Sequence, residues 1–330
     1  MPTVKIKKSC LNFKMNFEPK PTFIERMKLL LNDKQDVEKF FNIAKTKPKK
    51  SIRVNTLKIS PEKLKKRLEA KGWELSEIKD HPEILRIEGQ LEPGELGKAK
   101  EHLLGYYYVQ EITSMMPIIA LSPKPNEILL DCCASPGSKT TQAAVLMENK
   151  GTIIANDVKI TRTIILSANL ERQGITNTIM TRHDAVALSE RLKKINLKFN
   201  KILIDAPCSG EGNIRVSPRT YLEWSENLLK SMSKKQKKIA SSMIELLEDN
   251  GEIIYSTCTH APEENEEVVQ HLLDNYNLEI VKTELPIKSR PGLTKFKDKT
   301  FHQSLKLAHR IYHHDNDMEG FFLCKLKKIK

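Results

Sequence analysis

Between Glu127 and Ser256 short runs of aliphatic and β-branched residues alternate with longer segments of helical periodicity. Strands are expected at Glu127–Cys133, Thr152–Val158, Thr178–Arg182, Lys201–Asp205 and Glu252–Ser256. Helices are expected at Lys139–Glu148, Lys159–Arg172, Ala185–Ile195 and Lys234–Glu248. Repeated β-α units of this length predict an α/β fold with a doubly wound, mostly parallel sheet. Such sheets hold ligands outside the carboxyl ends of their strands. There the sequence places Asp131, Asp157, Asp184, Asp205 and, after the fifth strand, Cys258. One such residue is routine in a loop; five in series are hard to explain as packing.

The first strand breaks into a turn of small residues and restarts as a helix across Asp131–Gln142, DCCASPGSKTTQ. A tight turn at a helix N-terminus lets a ligand approach backbone N–H groups that favour polar or anionic atoms. The loop has neither the GxxxxGK[ST] spacing of a phosphate-binding loop nor the GxGxxG of a dinucleotide site, so nucleotide hydrolysis and nicotinamide chemistry are poorly supported. By itself it fits an ordinary strand-turn-helix as well as a cofactor site. Asp157 stands 20 residues beyond Gly137, where a ribose diol is commonly held, and Asp184 is placed to receive an adenine amino group.

With 330 residues the chain can bury a large core and form one main domain beside a smaller one. Three parts are expected: a basic helical segment over 1–47, a small α/β unit over 48–104 and a catalytic domain over 105–330. In the first part, Phe23–Ala44 reads as an amphipathic helix that Asn32–Lys34 interrupts, followed by KTKPKK (Lys45–Lys50), a linker or phosphate-facing strip. In the second, Ser51–Ile59 and Ile84–Ile87 read as strands around a helix from Ser60 to Lys71. Tyr106–Tyr108 could stack on bases, although packing at the domain junction is the simpler reading. The net charge is +13 and uneven, with 24 basic against 14 acidic residues in 1–100 and 31 against 28 in 101–330. A basic front unit suits an anionic polymer such as RNA, and it also suits a solvated surface. The opening MPTVKIKKSC lacks the apolar core of a secretion signal, so a cytoplasmic protein is expected. The six cysteines show no zinc-site spacing, and neither a metal nor disulfides are expected. Nothing demands more than a monomer.

Two cysteines remain. The fourth strand ends in DAPCSGEG (Asp205–Gly212) and the fifth in YSTCTHAPEENEE (Tyr255–Glu267). If these strands are neighbours, Cys208 and Cys258 rise into one cleft. Pro262 is expected to open a helix with Glu263, Glu264 and Glu266 in its first turn. Together with RVNTLK (Arg53–Lys58), YYVQEITS (Tyr107–Ser114), DCCASPGSKT and the closing HRIYHHDNDMEGFFLCKL, these stretches resemble the Nop/Sun family of RNA cytosine-5 methyltransferases, in its archaeal tRNA-acting form. The match runs in order from about residue 50 to the end. Ser135 and Ser138 stand where alanine and glycine are frequent, Thr259 where serine is frequent, and His313 where the family usually carries proline.

The resemblance implies a Rossmann-like, class I S-adenosylmethionine-dependent domain. It implies that the cofactor is held by Cys133, Ala134, Ser135, Pro136, Gly137, Ser138 and Lys139 with Asp157, Arg162, Asp184 and Asp205. It further implies that Cys258 attacks cytosine C6, making C5 nucleophilic, and that Cys208 assists breakdown of the adduct. Asp205 would bond the N3/N4 edge of the base with Lys139 positioning it, while Arg53 and Asn55 hold the RNA backbone. The base must leave any stack, so unpaired or distorted RNA is the easier substrate. The expected substrate is tRNA, with rRNA as the alternative. Two competing readings are a catalytically silent RNA-binding or assembly protein of the same fold and a DNA cytosine-5 methyltransferase in which the PC cysteine would attack.

Overall fold

The computed structural model describes residues 18–330. Cys10 and the rest of the lysine-rich opening, on which the absence of a secretion signal was read, lie outside the described residues.

The amphipathic front segment forms two helices, α1 (Pro21–Leu31) and α2 (Lys34–Ala44). They break where expected: Asn32 takes a left-handed φ of 51°, and the Asp33 side chain accepts the Asp36 N–H to start α2. Their apolar faces enter the core of the large domain. Phe23 packs edge-on against Tyr221 and Trp224, each 5.4 Å away, and Phe40 lies 5.2 Å from His313. The segment is thus part of the main core, clamped from outside by Asp36, whose carboxylate takes Arg290 and His314.

A small antiparallel sheet follows, in the order β2-β3-β1-β4, from β1 (Ser51–Val54), β2 (Leu75–Ile78), β3 (His81–Ile87) and β4 (Tyr107–Val109). Helix α3 (Pro61–Glu69), capped by Ser60, covers it with Leu64 and Leu68 over Ile52, Val54 and Trp73. β4 lies beyond residue 104 and closes this sheet by pairing with β1. Tyr107 and Tyr108 are buried at the junction, where the Tyr107 hydroxyl donates to the Leu96 carbonyl at 2.6 Å. They pack rather than present faces to bases.

Helix α4 (Ile112–Leu121) leads into the main sheet: β5 (Ile128–Asp131), α5 (Ser138–Leu146), β6 (Thr152–Asn156), α6 (Ile160–Gln173), β7 (Thr178–Thr181), α7 (Ala185–Lys194), β8 (Phe199–Asp205), α8 (Glu226–Ile244), β9 (Leu247–Thr257) and α9 (Glu266–Asn275). Strands β7-β6-β5-β8-β9 are parallel neighbours in that order. The sheet reverses its direction of growth at β5 and β8, which opens a crevice at their carboxyl ends. Four short strands follow, β10 (Leu278–Ile280), β11 (Arg290–Pro291) and the ribbon β12 (Lys295–Phe296) with β13 (Lys299–Thr300). Then β14 (His309–Ile311) and the long β15 (Phe321–Lys328) complete the chain. β15 pairs antiparallel with β9, buried between it and β14.

Two sequence expectations shift. The long helix α8 starts at Glu226, capped by Ser225, whose hydroxyl accepts the Leu228 N–H, and ends at Ile244, so residues to Glu248 belong to the turn and start of β9. Pro262 opens a turn and not the helix, which begins at Glu266 because Asn265 takes φ −112°, ψ −92°. Glu264 is thereby turned inward and fully buried. Among the described residues no helix is long and apolar enough to cross a membrane, and no group of three His, Cys, Asp or Glu is arranged to hold a metal ion.

Candidate active site

The parallel register of β8 and β9 sets Asp205 opposite Ser256, and the chains leave the sheet side by side. Cys208 and Cys258 meet with their sulfurs 3.2 Å apart. Backbone closure fixes the pair: the Gly212 N–H donates to the Cys258 carbonyl at 2.9 Å, and the Gly320 N–H donates to Gly212 at 2.9 Å. Gly212 must be glycine, since a Cβ there would run into the Gly320 carbonyl. The Cys208 thiol is pushed well above its ordinary pKa, first by its hydrogen bond with Cys258 and then by burial, so it keeps its proton. Cys258 also accepts the side-chain N–H of Asn213 at 3.1 Å. One sulfur of the pair therefore faces two donors.

Asp205 stands beside them. Its Oδ2 takes the Lys139 ammonium at 2.7 Å and its Oδ1 the Ser256 hydroxyl at 2.9 Å. Lys139 is buried, donates also to Ser114 Oγ at 2.9 Å and sits 5.3 Å from the centre of the Phe321 ring. An ammonium so confined on three sides holds the carboxylate in one orientation while a third of Asp205 stays open to the cleft.

The loop behind is built from the expected residues. Gly137 takes φ 101° and caps α5; a Cβ there would lie 2.8 Å from Leu166 Cδ1. The first-turn N–H groups of α5 thus open on the cleft. The Ser135 hydroxyl and carbonyl exchange hydrogen bonds with Arg162, and Arg162 Nε reaches Asp157 at 3.1 Å, which brings Ser135, Asp157 and Arg162 together. Asp184 is exposed and caps α7 by accepting the Val186 and Ala187 N–H groups. Asp131 is buried, takes the Thr140 hydroxyl on Oδ2, and has its pKa pushed up to about 7 by burial.

Arg53 and Asn55 do not face solvent. Arg53 is buried and donates to Gln110, to the Ser138 carbonyl at 2.7 Å and to Thr141 Oγ1 at 2.9 Å. Asn55 donates to the Gly105 and Gln173 carbonyls at 2.9 and 2.8 Å. Both fasten the small sheet to the cofactor-side loop and α6; Asn55 spends both amide hydrogens inside the protein, and Arg53 Nε, left without a partner among the described residues, is buried away from an RNA backbone. This corrects the expectation for those two residues.

Several participants escaped the sequence reading. Asn213 follows the DAPCSGEG run at once, and its place beside the PC cysteine was the available signal. Ser114 and Ser256 stood inside quoted motifs without a role. Asn156 had no signal at all: its side chain ties the Cys132 carbonyl to the His183 N–H and carbonyl, locking three strand ends together.

The family described as 16S rRNA methyltransferase RsmB/F matches residues 118–327, and the N-terminal domain of 16S rRNA methyltransferase RsmF matches residues 20–112. The chain is 37% identical over 312 residues to ribosomal RNA small subunit methyltransferase F of Psychromonas ingrahamii, covering 93% of this chain and 63% of that protein. To its counterpart in Vibrio cholerae it is 36% identical over 317 residues, covering 94% and 64%. The chain thus spans just under two thirds of the length of these relatives. Among solved structures, a methyltransferase homolog protein from Pyrococcus horikoshii superposes with a TM-score of 0.83 at 32% identity, over 95% of this chain and 96% of that one. NSun6 from the same organism, solved with SFG, gives 0.81 at 25% identity, over 94% and 98%. The fold is that of a class I S-adenosylmethionine-dependent methyltransferase, and the chain belongs to the RsmB/F (Nop/Sun-type) family of RNA methyltransferases.

Proposed function

We propose that this protein methylates C5 of a cytosine in small-subunit ribosomal RNA. The observation that carries the reading is the 3.2 Å approach of Cys208 and Cys258 beside the Lys139–Asp205 pair. The curated relatives are named for the small-subunit RNA, which favours rRNA over the tRNA expected from sequence.

The donor set fits S-adenosylmethionine. Asp157 and Asp184 offer acceptors for a ribose diol and an adenine amino group, and the Cys133–Lys139 loop offers backbone N–H groups for the amino-acid end. When bound, the cofactor supplies an electrophilic methyl group. The protein must supply the nucleophile, because cytosine C5 is unreactive until something adds to C6. The Cys258 sulfur forms that bond, and the C5–C6 electron pair moves into the ring. Asp205, steadied by Lys139, meets the N3/N4 edge and stabilises the charge that builds there. After C5 has gained its methyl group it gives up its proton to solvent, the pair of that C–H bond restores the C5–C6 double bond, and the C6–S bond breaks with its pair returning to the Cys258 sulfur. The thiol of Cys208 then stands where a donor assists the departing sulfur.

Bisulfite sequencing of unmodified small-subunit rRNA and tRNA after incubation with protein and S-adenosylmethionine tests the reading. Protected cytosines in rRNA that vanish with Cys258→Ala are expected; protection in tRNA alone overturns the substrate, and an unchanged Cys258→Ala overturns the nucleophile.

A further inference from the structure

A hollow of about 340 Å³ lies between the Lys47–Ser51 segment, the Val109–Glu111 end of β4 and Arg215–Val216. Its walls continue into the reacting groups. The Val216 N–H donates to the Asn213 carbonyl at 3.1 Å, closing a tight turn, so the two Cα atoms lie within about 7 Å. Asn213 in turn touches Cys258. On the opposite wall the Ser114 N–H donates to Glu111 at 3.2 Å, and the Ser114 hydroxyl holds Lys139. The hollow therefore lies within a few nucleotide steps of the thiol, at ~3.4 Å per stacked nucleotide.

Its chemistry is divided. Pro48, Val109 and Val216 give it an apolar lining, and Val109 and Val216 are exposed although both are large hydrophobics. At its edge Lys47 and Lys50 are exposed, and among the described residues their ammonium groups take no partner, whereas Lys49 pairs with Glu88. Arg215 is committed to Thr46 and Asp317, and Glu111 to the start of α4, so the two lysines carry the free charge. An apolar shelf rimmed by free ammonium groups matches a flat base joined to a phosphate, and the volume is that of a small-ligand site.

We propose that this hollow is a subsite for the nucleotide adjoining the target base, its base resting on Pro48, Val109 and Val216 and its phosphate between Lys47 and Lys50. The inference rests on the RNA reading above. It gives the KTKPKK strip a defined partner, and it places contact beyond the target base on residues that do no chemistry.

Fluorescence anisotropy of the full chain with a labelled single-stranded fragment of small-subunit rRNA, titrated across salt concentration, tests it. Lys47→Ala/Lys50→Ala is expected to weaken binding ~10-fold at low salt and to lower the salt slope by about 0.7, the contribution of one neutralised phosphate in a single strand. Val216→Ser is expected to weaken binding ~3-fold with the slope unchanged. S-adenosylmethionine affinity by calorimetry should stay within about twofold in both, which separates local loss from misfolding; a variant that fails this check is replaced by Lys47→Gln, Lys50→Gln or Val216→Thr. Wild-type affinity and slope in both variants would overturn the subsite. If the parent binds RNA but transfers no methyl group, the catalytic reading falls while the same titration still decides the subsite. If the parent binds no RNA, both fall.

Discussion

Two sulfurs 3.2 Å apart, of which only one receives the Asn213 amide, are given different roles by the proposed mechanism. Cys258→Ala should abolish both turnover and any covalent RNA adduct, whereas Cys208→Ala should retain the adduct and lose turnover, a contrast read on a denaturing gel shift with RNA and S-adenosylmethionine. A persistent adduct in Cys258→Ala that disappears in Cys208→Ala would sink the assignment in favour of attack by the PC cysteine. Asn213→Ala removes one hydrogen bond to the attacking sulfur. We expect kcat to fall up to ~10-fold with KM for RNA within about twofold, because a hydrogen bond contributes roughly 0.5–1.5 kcal/mol. Asn213→Ser, short but still a donor, should recover part of the loss. Equal effects of both substitutions would leave Asn213 as loop filling. Cys208 and Cys258 were legible because reactive residue types sat after consecutive strands. Asn213 was not, because asparagine in a glycine-bounded loop reads first as a turn residue.

At the scale of elements, the parallel units were legible from periodicity, while β15 and its neighbours were not. Antiparallel β15 is buried against β9 and β14, so FFLCKL shows no clean alternation. The joint between the small sheet and the catalytic domain was misread for a related reason: arginine and asparagine in a basic unit look like ligands until their partners are seen. Arg53 reaches Gln110, Ser138 and Thr141, and burial pushes its pKa down to about 9, which a solvent-facing phosphate ligand would not show. Arg53→Met should therefore cost stability, roughly 2–4 kcal/mol for stranded buried partners, visible as a lower thermal midpoint. Its RNA salt slope should match the parent. A reduced slope with an unchanged midpoint would return Arg53 to the RNA surface.

At the scale of the whole molecule, stability must depend on pH in two opposed directions, because buried acids and buried histidines surround the same cleft. Burial lowers the pKa of His313 to about 3 and that of His260 well below its ordinary value. The unfolded chain binds those protons more readily, so their contribution makes stability rise with pH between about 3 and 6.5. Acids act the other way. Burial raises Asp131 and Glu264 to about 7, and burial together with the Glu111 carboxylate raises Glu319 to about 8 against the pull of Arg215. Here the folded state holds the proton more tightly, so the stability present at pH 4 is lost progressively as pH rises from about 4 to about 7 or 8. Glu319 isolates the effect, since it is buried and neither side-chain oxygen has a partner among the described residues. Ionising it leaves a buried charge without a hydrogen-bond donor, opposed by the Glu111 carboxylate and only partly offset by Arg215. Glu319→Gln should raise the thermal midpoint relative to the parent more at pH 9 than at pH 6, with the difference growing from the ordinary carboxylate range up to the pKa of about 8 and levelling off above it. A difference that stays flat from pH 6 to pH 9 would mean that the carboxyl finds a counter-charge or water in solution, and that ionisation of Glu319 is not what limits this fold in alkali.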